Sequence, residues 1–430
     1  MTTQTLDQEH RDWKRKFFAI WGGQAFSLLG SQLVQFAIIW YLTERTGSAS
    51  VLAMASMAGL LPGVFLSPFI GVLVDRWNRK KIMIVADTAI ALITFAMLIL
   101  FALDIIEVWH VYVILFIRAI GGSFHNPAMT ATTTLMVPHE HMTRIQGINQ
   151  TLNGGLNIIS APLGALLLEL LPMSGIVAID VISAAFAILP LFLVDIPQPE
   201  PMQSAEGKKQ TFFQEMREGF QYIIGWPGLM IVIGMATMIN FLLSPAFSLM
   251  PLLVKSHFSG GAIQLGWLNA VFGVGVILGG ILLSVWGGFK RRILTVTLGL
   301  IGIGLGSMTL GILPPGGLTI AMGAMLLLGI MLPIANGSLG ALMQTTIDPA
   351  IQGRVLTLVG SAATAMIPIG LAAAGPLSDA LGIQIWFVIS GLMCLIMAIL
   401  QILIPAVVNI EQSPQVLARK QAKLPQETAS

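Results

Sequence analysis

Four ionisable residues stand inside otherwise apolar stretches of this sequence: Asp87, Arg118, Glu169 and Asp180. An Arg at the centre of a membrane helix costs roughly 2.5–3.5 kcal/mol on insertion scales, so Arg118 needs a polar cavity or an acidic partner. A carboxylate whose contact with water alternates is suited to carrying a proton. Desolvation favours its neutral acid, and an approaching guanidinium favours the ionised form. Asp180 lies deepest and is the first candidate for proton coupling, followed by Asp87 and Glu169. The last two are close enough to the ends of their apolar runs for the side chains to reach lipid headgroups instead. Two polar stripes are candidate cavity walls. Gln24, Ser27, Ser31 and Gln35 share one helical face, and Asn149, Asn153 and Asn157 recur every four residues beside Gln146 and Gln150. Amides in hydrocarbon seek partners, so each stripe either lines a cavity or ties helices together. Gln24, Gln35, Asn153 and Asn157 are the candidates for substrate contact, with Asn240 and Asn336 as single positions of the same kind.

These groups must be carried by membrane helices. Of 430 residues, 55% are hydrophobic and only 10% charged, where a soluble domain carries about 25% charged residues. Mean hydropathy is +0.85. Apolar stretches long enough to span a bilayer recur at about 17–42, 50–74, 82–103, 109–127, 146–171, 174–194, 228–252, 265–286, 293–313, 317–338, 355–377 and 384–407. They lack the alternation of barrel strands, so twelve helices are expected, each satisfying its own backbone. The polar start, Met1 to Lys16, precedes a run longer than a signal-peptide core and is read as leading into a first membrane helix. Cys394 sits in an apolar run, where an inert buried thiol is expected.

Charge sorting tests this count. With the amino terminus in the cytoplasm, nineteen of the 22 Lys and Arg residues fall on the inner side, in the segments around Arg15, Lys80, Arg144, Lys208, Arg291, Arg354 and Lys420. Arg45 and Lys255 fall outside, and Arg118 lies within a span. Both termini are therefore expected in the cytoplasm, in a plasma (inner) membrane. The longest polar stretch opens with Pro197, Pro199 and Pro201. It continues into 211–223, where Phe212, Met216, Phe220 and Ile223 share a face suited to lying on the membrane surface. The halves on either side match: Arg79-Lys80-Lys81-Ile82 with Lys290-Arg291-Arg292-Ile293 at an offset of 211, and Asn126 with Asn336 and Arg144 with Arg354 at 210. The expected organisation is a six-helix bundle over 1–194, a linker over 195–222, a second bundle over 223–410 and a cytoplasmic tail over 411–430. Such duplicated units enclose a substrate site near the midplane in transporters.

The loop between spans two and three reads Gly71-Val72-Leu73-Val74-Asp75-Arg76-Trp77-Asn78-Arg79-Lys80-Lys81. It resembles the Gly-x-Leu-x-Asp-Arg-x-Gly-Arg-Lys signature of the major facilitator superfamily, with Asn78 where Gly is usual. Asn tolerates a left-handed turn, which is the geometry expected at Asn78. The resemblance makes Gly71, Asp75, Arg76, Arg79 and Lys80 a cytoplasmic gate loop. In that loop Asp75 would pair with a helix N-terminus or an Arg, and the cations would meet anionic lipid. The second copy, Trp286 to Arg292, has no Asp. Trp13 to Phe17 leading to Trp21-Gly22-Gly23-Gln24-Ala25, Phe116-Ile117-Arg118 to Phe124-His125, and Ala178-Ile179-Asp180 resemble macrolide-efflux (Mef-type) transporters of the third drug:proton antiporter family. The resemblance implies the major facilitator fold, with twelve helices in two pseudo-symmetric bundles. It also implies proton-coupled antiport of amphipathic, macrolide-like drugs in a bacterial membrane, with Arg118 in proton transfer. Ala161-Pro162-Leu163-Gly164-Ala165 resembles the Gly-Pro bend of such antiporters, with Ala for the first Gly.

A siderophore or metabolite exporter of the same superfamily is the alternative. A membrane enzyme would show His, Asp or Ser clustered at a water interface, and a receptor a larger domain outside the membrane; neither pattern is visible in the sequence. Gly273-Val274-Gly275 with Gly279-Gly280 sits inside an apolar span and is read as close helix packing rather than a nucleotide fingerprint. No P-loop is present, the net charge of +2 does not suggest nucleic acid, and His125, His139 and His141 lack metal-ligand spacing. No metal or other cofactor is expected.

Overall fold

A computed structural model of the chain describes residues 3–197, 212–414 and 416. The helices are α1 (Thr3–Thr46), α2 (Ala49–Arg76), α3 (Arg79–Ala102), α4 (Val108–Met136), α5 (Met142–Leu170), α6 (Met173–Leu193) and α7 (Phe212–Ile224). They continue with α8 (Pro227–Ser248), α9 (Met250–Leu252), α10 (Ala262–Trp286), α11 (Arg292–Ile312), α12 (Leu318–Thr346), α13 (Pro349–Leu381), α14 (Ile383–Leu403) and α15 (Pro405–Val408). Twelve of them are long and apolar enough to cross a membrane.

Several helices outrun the apolar stretches that announce them. α4 continues past Pro127 to Met136, and α12 past Asn336 to Thr346. The extra turns are rich in Thr, whose hydroxyls back-bond within the helix: Thr130 to Asn126 O at 3.0 Å, Thr133 to Met129 O at 2.9 Å and Thr346 to Leu342 O at 2.7 Å. Apolar length reports bilayer thickness, whereas a helix needs only its backbone bonds satisfied.

Two compact units divide the chain: Met1–Glu206 with Val254–Ala270, and Gly207–Leu253 with Val271–Ser430. In the first, α3 packs on α4 and α6, α1 on α5 and α6, and α2 on α4. In the second, α11 packs on α12 and α14, and α8 on α13 and α14. The same pairings thus recur at the same places in the two halves. The first unit also takes in the start of α10. Lys255 Nζ donates to the carbonyls of Glu44 at 2.8 Å and Thr43 at 3.2 Å, capping the C-terminal turn of α1. Gly266 lies so close to α5 that a Cβ there would stand 3.1 Å from Pro162 Cα and from Ala165 Cβ.

In the second unit α7 lies along α13, with Gly219 against Leu358 and Glu218 paired to Arg354. Ile223 is buried while Met216 and Phe220 are exposed; the Phe212 side chain lies outside the described residues. Of the α10 glycines, Gly275 and Gly279 pack closely while Gly280 has open space around it. A Cβ on Gly275 would meet Leu326 O at 2.6 Å, and Gly279 abuts Ile330 of the same helix, α12.

Candidate functional site

The first unit encloses a cavity of about 510 Å³ lined by α1, α3, α4, α5 and α6. Two close approaches set its walls. Gly30 of α1 leaves no room for a side chain against Ser183 of α6, and a Cβ on Gly121 of α4 would stand 2.6 Å from Ile90 of α3. Glycine at both positions draws neighbouring helices together at the depth of the charged residues.

Arg118 and Asp180 meet in this cavity. Arg118 Nη1 donates to Asp180 Oδ2 at 2.6 Å, and their side chains are 11% and 3% exposed. Ser31 Oγ donates to the other carboxylate oxygen at 2.9 Å. Arg118 also donates to the Thr94 hydroxyl, which passes its own proton to Ile90 O at 2.8 Å. Four helices thus converge on one ion pair, as an Arg buried at this depth requires.

A second charged cluster lines the same space. Gln24 Nε2 donates to Asp87 Oδ2 at 2.8 Å, and His125 Nε2 lies 3.3 Å from Asp87 Oδ1. The His125 contact is a close approach without hydrogen-bond alignment, so Nε2 has no hydrogen-bond partner. The sequence reading left His125 without a partner. The fold supplies one by setting α4 against α3, a proximity that residue spacing does not reveal. On the cavity's flank Trp21 Nε1 donates to Asn149 Oδ1 at 2.7 Å, tying α1 to α5.

Of the residues singled out in the sequence, Asp87, Arg118, Asp180, Gln24 and Asn153 line this cavity, with Ser27, Ser31, Gln146 and Asn149 of the two stripes. Gln35 and Asn157 do not line it and are exposed, as is Glu169, one residue short of the end of α5. Each stripe continues in register past the cavity's outer limit, so periodicity alone overshoots. Asn240 and Asn336 belong to the second unit, and Asn240 donates to Ala236 O of its own helix at 3.0 Å. Thr94, His125, Asn126, Thr130 and Thr133 line the cavity without having been singled out as site residues. The signal for the four on α4 was the stripe Arg118, Gly122, His125, Asn126, Met129, Thr130, Thr133, which keeps to one face at helical spacing, while Thr94 on α3 stands two turns from Asp87.

Asp75 and Arg76 fall in the last turn of α2 rather than in a loop, and their side chains lie outside the described residues. Gly71 is exposed near the end of α2. Arg79 is buried and donates to Ala131 O of α4 at 3.0 Å; Lys80 Nζ donates to Val194 O, the C-cap of α6, at 2.9 Å. Both cations therefore fasten the start of α3 to neighbouring helices. Asn78 departs from the left-handed geometry expected of it. Its φ is −66° and its ψ 112°, and its side chain accepts from Lys81 N at 3.0 Å as the N-cap of α3. An N-cap needs extended backbone and a short side-chain acceptor, which Asn supplies and Gly does not.

Comparison with known proteins places this geometry. The chain is 38% identical to macrolide efflux protein A of Streptococcus pyogenes over 91% of its own length and 96% of that protein. It is 25% identical to the multidrug efflux pump Tap of Mycolicibacterium fortuitum over 87% of this chain and 92% of that one. The crystal structure of a mutant of the nucleoside transporter NupG superposes with a TM-score of 0.70 at 12% identity, covering 91% of this chain and 99% of that one. A bacterial homologue of the iron transporter ferroportin, in its inward-facing state, gives 0.68 at 14%, covering 90% and 98%. Both structures share the fold. Residues 20–370 match the family described as Major Facilitator Superfamily, and with twelve membrane-spanning helices in two corresponding sets the chain belongs to that superfamily.

Proposed function

We propose that the chain exports amphipathic drugs across a bacterial cell membrane by alternating access, in exchange for protons. The observation that carries this reading is the ion pair of Arg118 and Asp180 in the wall of a cavity large enough for a drug-sized molecule. Likeness to proteins named for macrolide and multidrug efflux supports the cargo class. When Asp180 takes a proton, Arg118 loses its counter-charge. A buried charge stripped of its partner costs several kcal/mol, enough to favour a different helix arrangement. A proton arriving from outside therefore favours drug release, and its departure to the cytoplasm restores the pair. Gln24 and Asn153 are assigned to substrate contact, and Asp75 with Arg76 to the cytoplasmic latch.

The reading places both termini and the Arg79–Lys81 loop in the cytoplasm, with the helices in the lipid bilayer and the division into bundles near residue 223. An impermeant thiol reagent should reach a Lys290→Cys variant from the inner face only; labelling from outside intact cells would overturn the orientation. The decisive assay is transport in inverted vesicles with an acidic interior. Accumulation of a macrolide, with collapse of the pH gradient on its addition, is expected. Accumulation of a siderophore but no macrolide would replace the cargo. Full-rate transport by Asp180→Asn against a gradient would remove the coupling assignment.

A further inference from the structure

We propose that Asp87 and His125 form a cation subsite. A substrate ammonium takes the place of His125 against the Asp87 carboxylate, and protonation of His125 expels it. This inference rests on the export reading above and names the substrate class of the same cavity.

The argument is one of charge. The charged or titratable side chains lining the cavity are Asp87 on α3, Arg118 and His125 on α4, and Asp180 on α6; α1 and α5 contribute only neutral ones among the described residues. Arg118 and Asp180 neutralise each other at 2.6 Å. With His125 neutral, the lining carries one uncompensated negative charge, on Asp87. With His125 protonated it carries none. The two pairs also differ in how firmly they are held. Asp180 has both oxygens hydrogen-bonded, one by Arg118 and one by Ser31. Asp87 has one oxygen bonded by Gln24, while its other faces His125 Nε2 at 3.3 Å without alignment. That oxygen can accept a charge-assisted hydrogen bond from an ammonium, which would be short and strong in so sheltered a place. Asp87 is 9% exposed and lines the cavity, so a ligand already inside can reach it.

The exchange balances. Facing outward, a proton from the medium adds to the free imidazole nitrogen, the imidazolium pairs with Asp87, and the ammonium leaves. Facing inward, the imidazolium returns its proton to water as the next ammonium arrives. At this subsite one proton enters for each cation that leaves, in addition to the one assigned to Asp180, and only an N–H bond is made and broken here.

The test uses the purified full-length transporter in nanodiscs. The probes are a macrolide bearing a tertiary amine and the same macrolide with that amine replaced by a hydroxyl, and binding of each is measured by titration. Wild type should prefer the amine by about tenfold or more at alkaline pH, and the preference should shrink on acidification. Asp87→Asn should collapse the preference at every pH. His125→Gln should hold it constant across the range, and this pH profile decides the matter if Asp87→Asn does not fold. An unchanged preference in Asp87→Asn, or a persisting pH dependence in His125→Gln, overturns the subsite. Wild type binding both compounds without preference overturns it while leaving the export reading intact; binding neither overturns both.

Discussion

α3 and α11 hold the same place in the order of their halves, each packed on the two helices that follow the same rule of pairing. Their surroundings differ. Only 17% of the apolar window of α3 is buried, against 67% for α11. α3 faces the 510 Å³ cavity with Asp87 and Thr94. In the second unit, α8, α11, α12 and α14 leave between them a void of about 10 Å³ walled by Leu243, Leu310, Leu328 and Phe387, room for about one water. Glycines close it: a Cβ on Gly306 would meet Leu328 at 2.7 Å, and one on Gly304 would meet Gly391 O at 2.9 Å. The buried polar pairs around α11 are neutral: Ser307 with Ser390 at 2.9 Å and Thr297 with Gln401 at 2.8 Å. The first unit thus holds a cavity with charged groups in its wall, while the packing around α11 in the second is close and apolar.

That contrast can be broken experimentally. The largest effect is expected for Arg118→Gln, which strands Asp180 and should cost roughly 3–5 kcal/mol as a broken buried pair. It should bring proton-driven transport to background, read in vesicles. A Gly391→Val substitution in the second unit forces a side chain to within 2.5 Å of Met308 N. It should lower stability by roughly 1–3 kcal/mol, as overpacking does, measured by thermal melting in detergent. Gly122→Ala sharpens the comparison, since a Cβ there meets nothing within 4 Å. Stability should hold or rise by up to about 1 kcal/mol from helix propensity. Trp21→Phe removes the bond to Asn149 and should cost about 1 kcal/mol. Glu169→Gln, exposed at the end of α5 and outside the cavity, should leave transport within about twofold of wild type; a larger loss would return that acid to the coupling path.

The membrane spans were legible because hydrocarbon excludes charge from long runs, and the residues inside them were legible for the same reason. Arg118 and Asp180 could be named singly, 62 positions apart, but not as partners, because their pairing depends on how α3, α4 and α6 pack. His125 was missed because its stripe along α4 mixes Gly and Met with polar residues, and only the packing of α3 on α4 brings Asp87 to it. Glu169 stands exposed and outside the cavity, a placement hidden from the sequence because proximity to an apolar run does not say on which side of the helix a residue stands. Asn78 was misread because Asn serves both left-handed turns and N-caps, and only the backbone angles separate the two.

α10 runs unbroken from Ala262 to Trp286, yet its opening turns belong to one compact unit and the remainder to the other. Gly266 sets the opening turns against α5, Lys255 just ahead of the helix is bonded to α1, and Gly275 and Gly279 press the later turns onto α12. This stretch has no slack loop that could take up strain. Any bend within α10 would therefore have to be taken up by the hydrogen-bonded helix itself. Gly273, just past the junction at residue 270, offers the backbone its softest point.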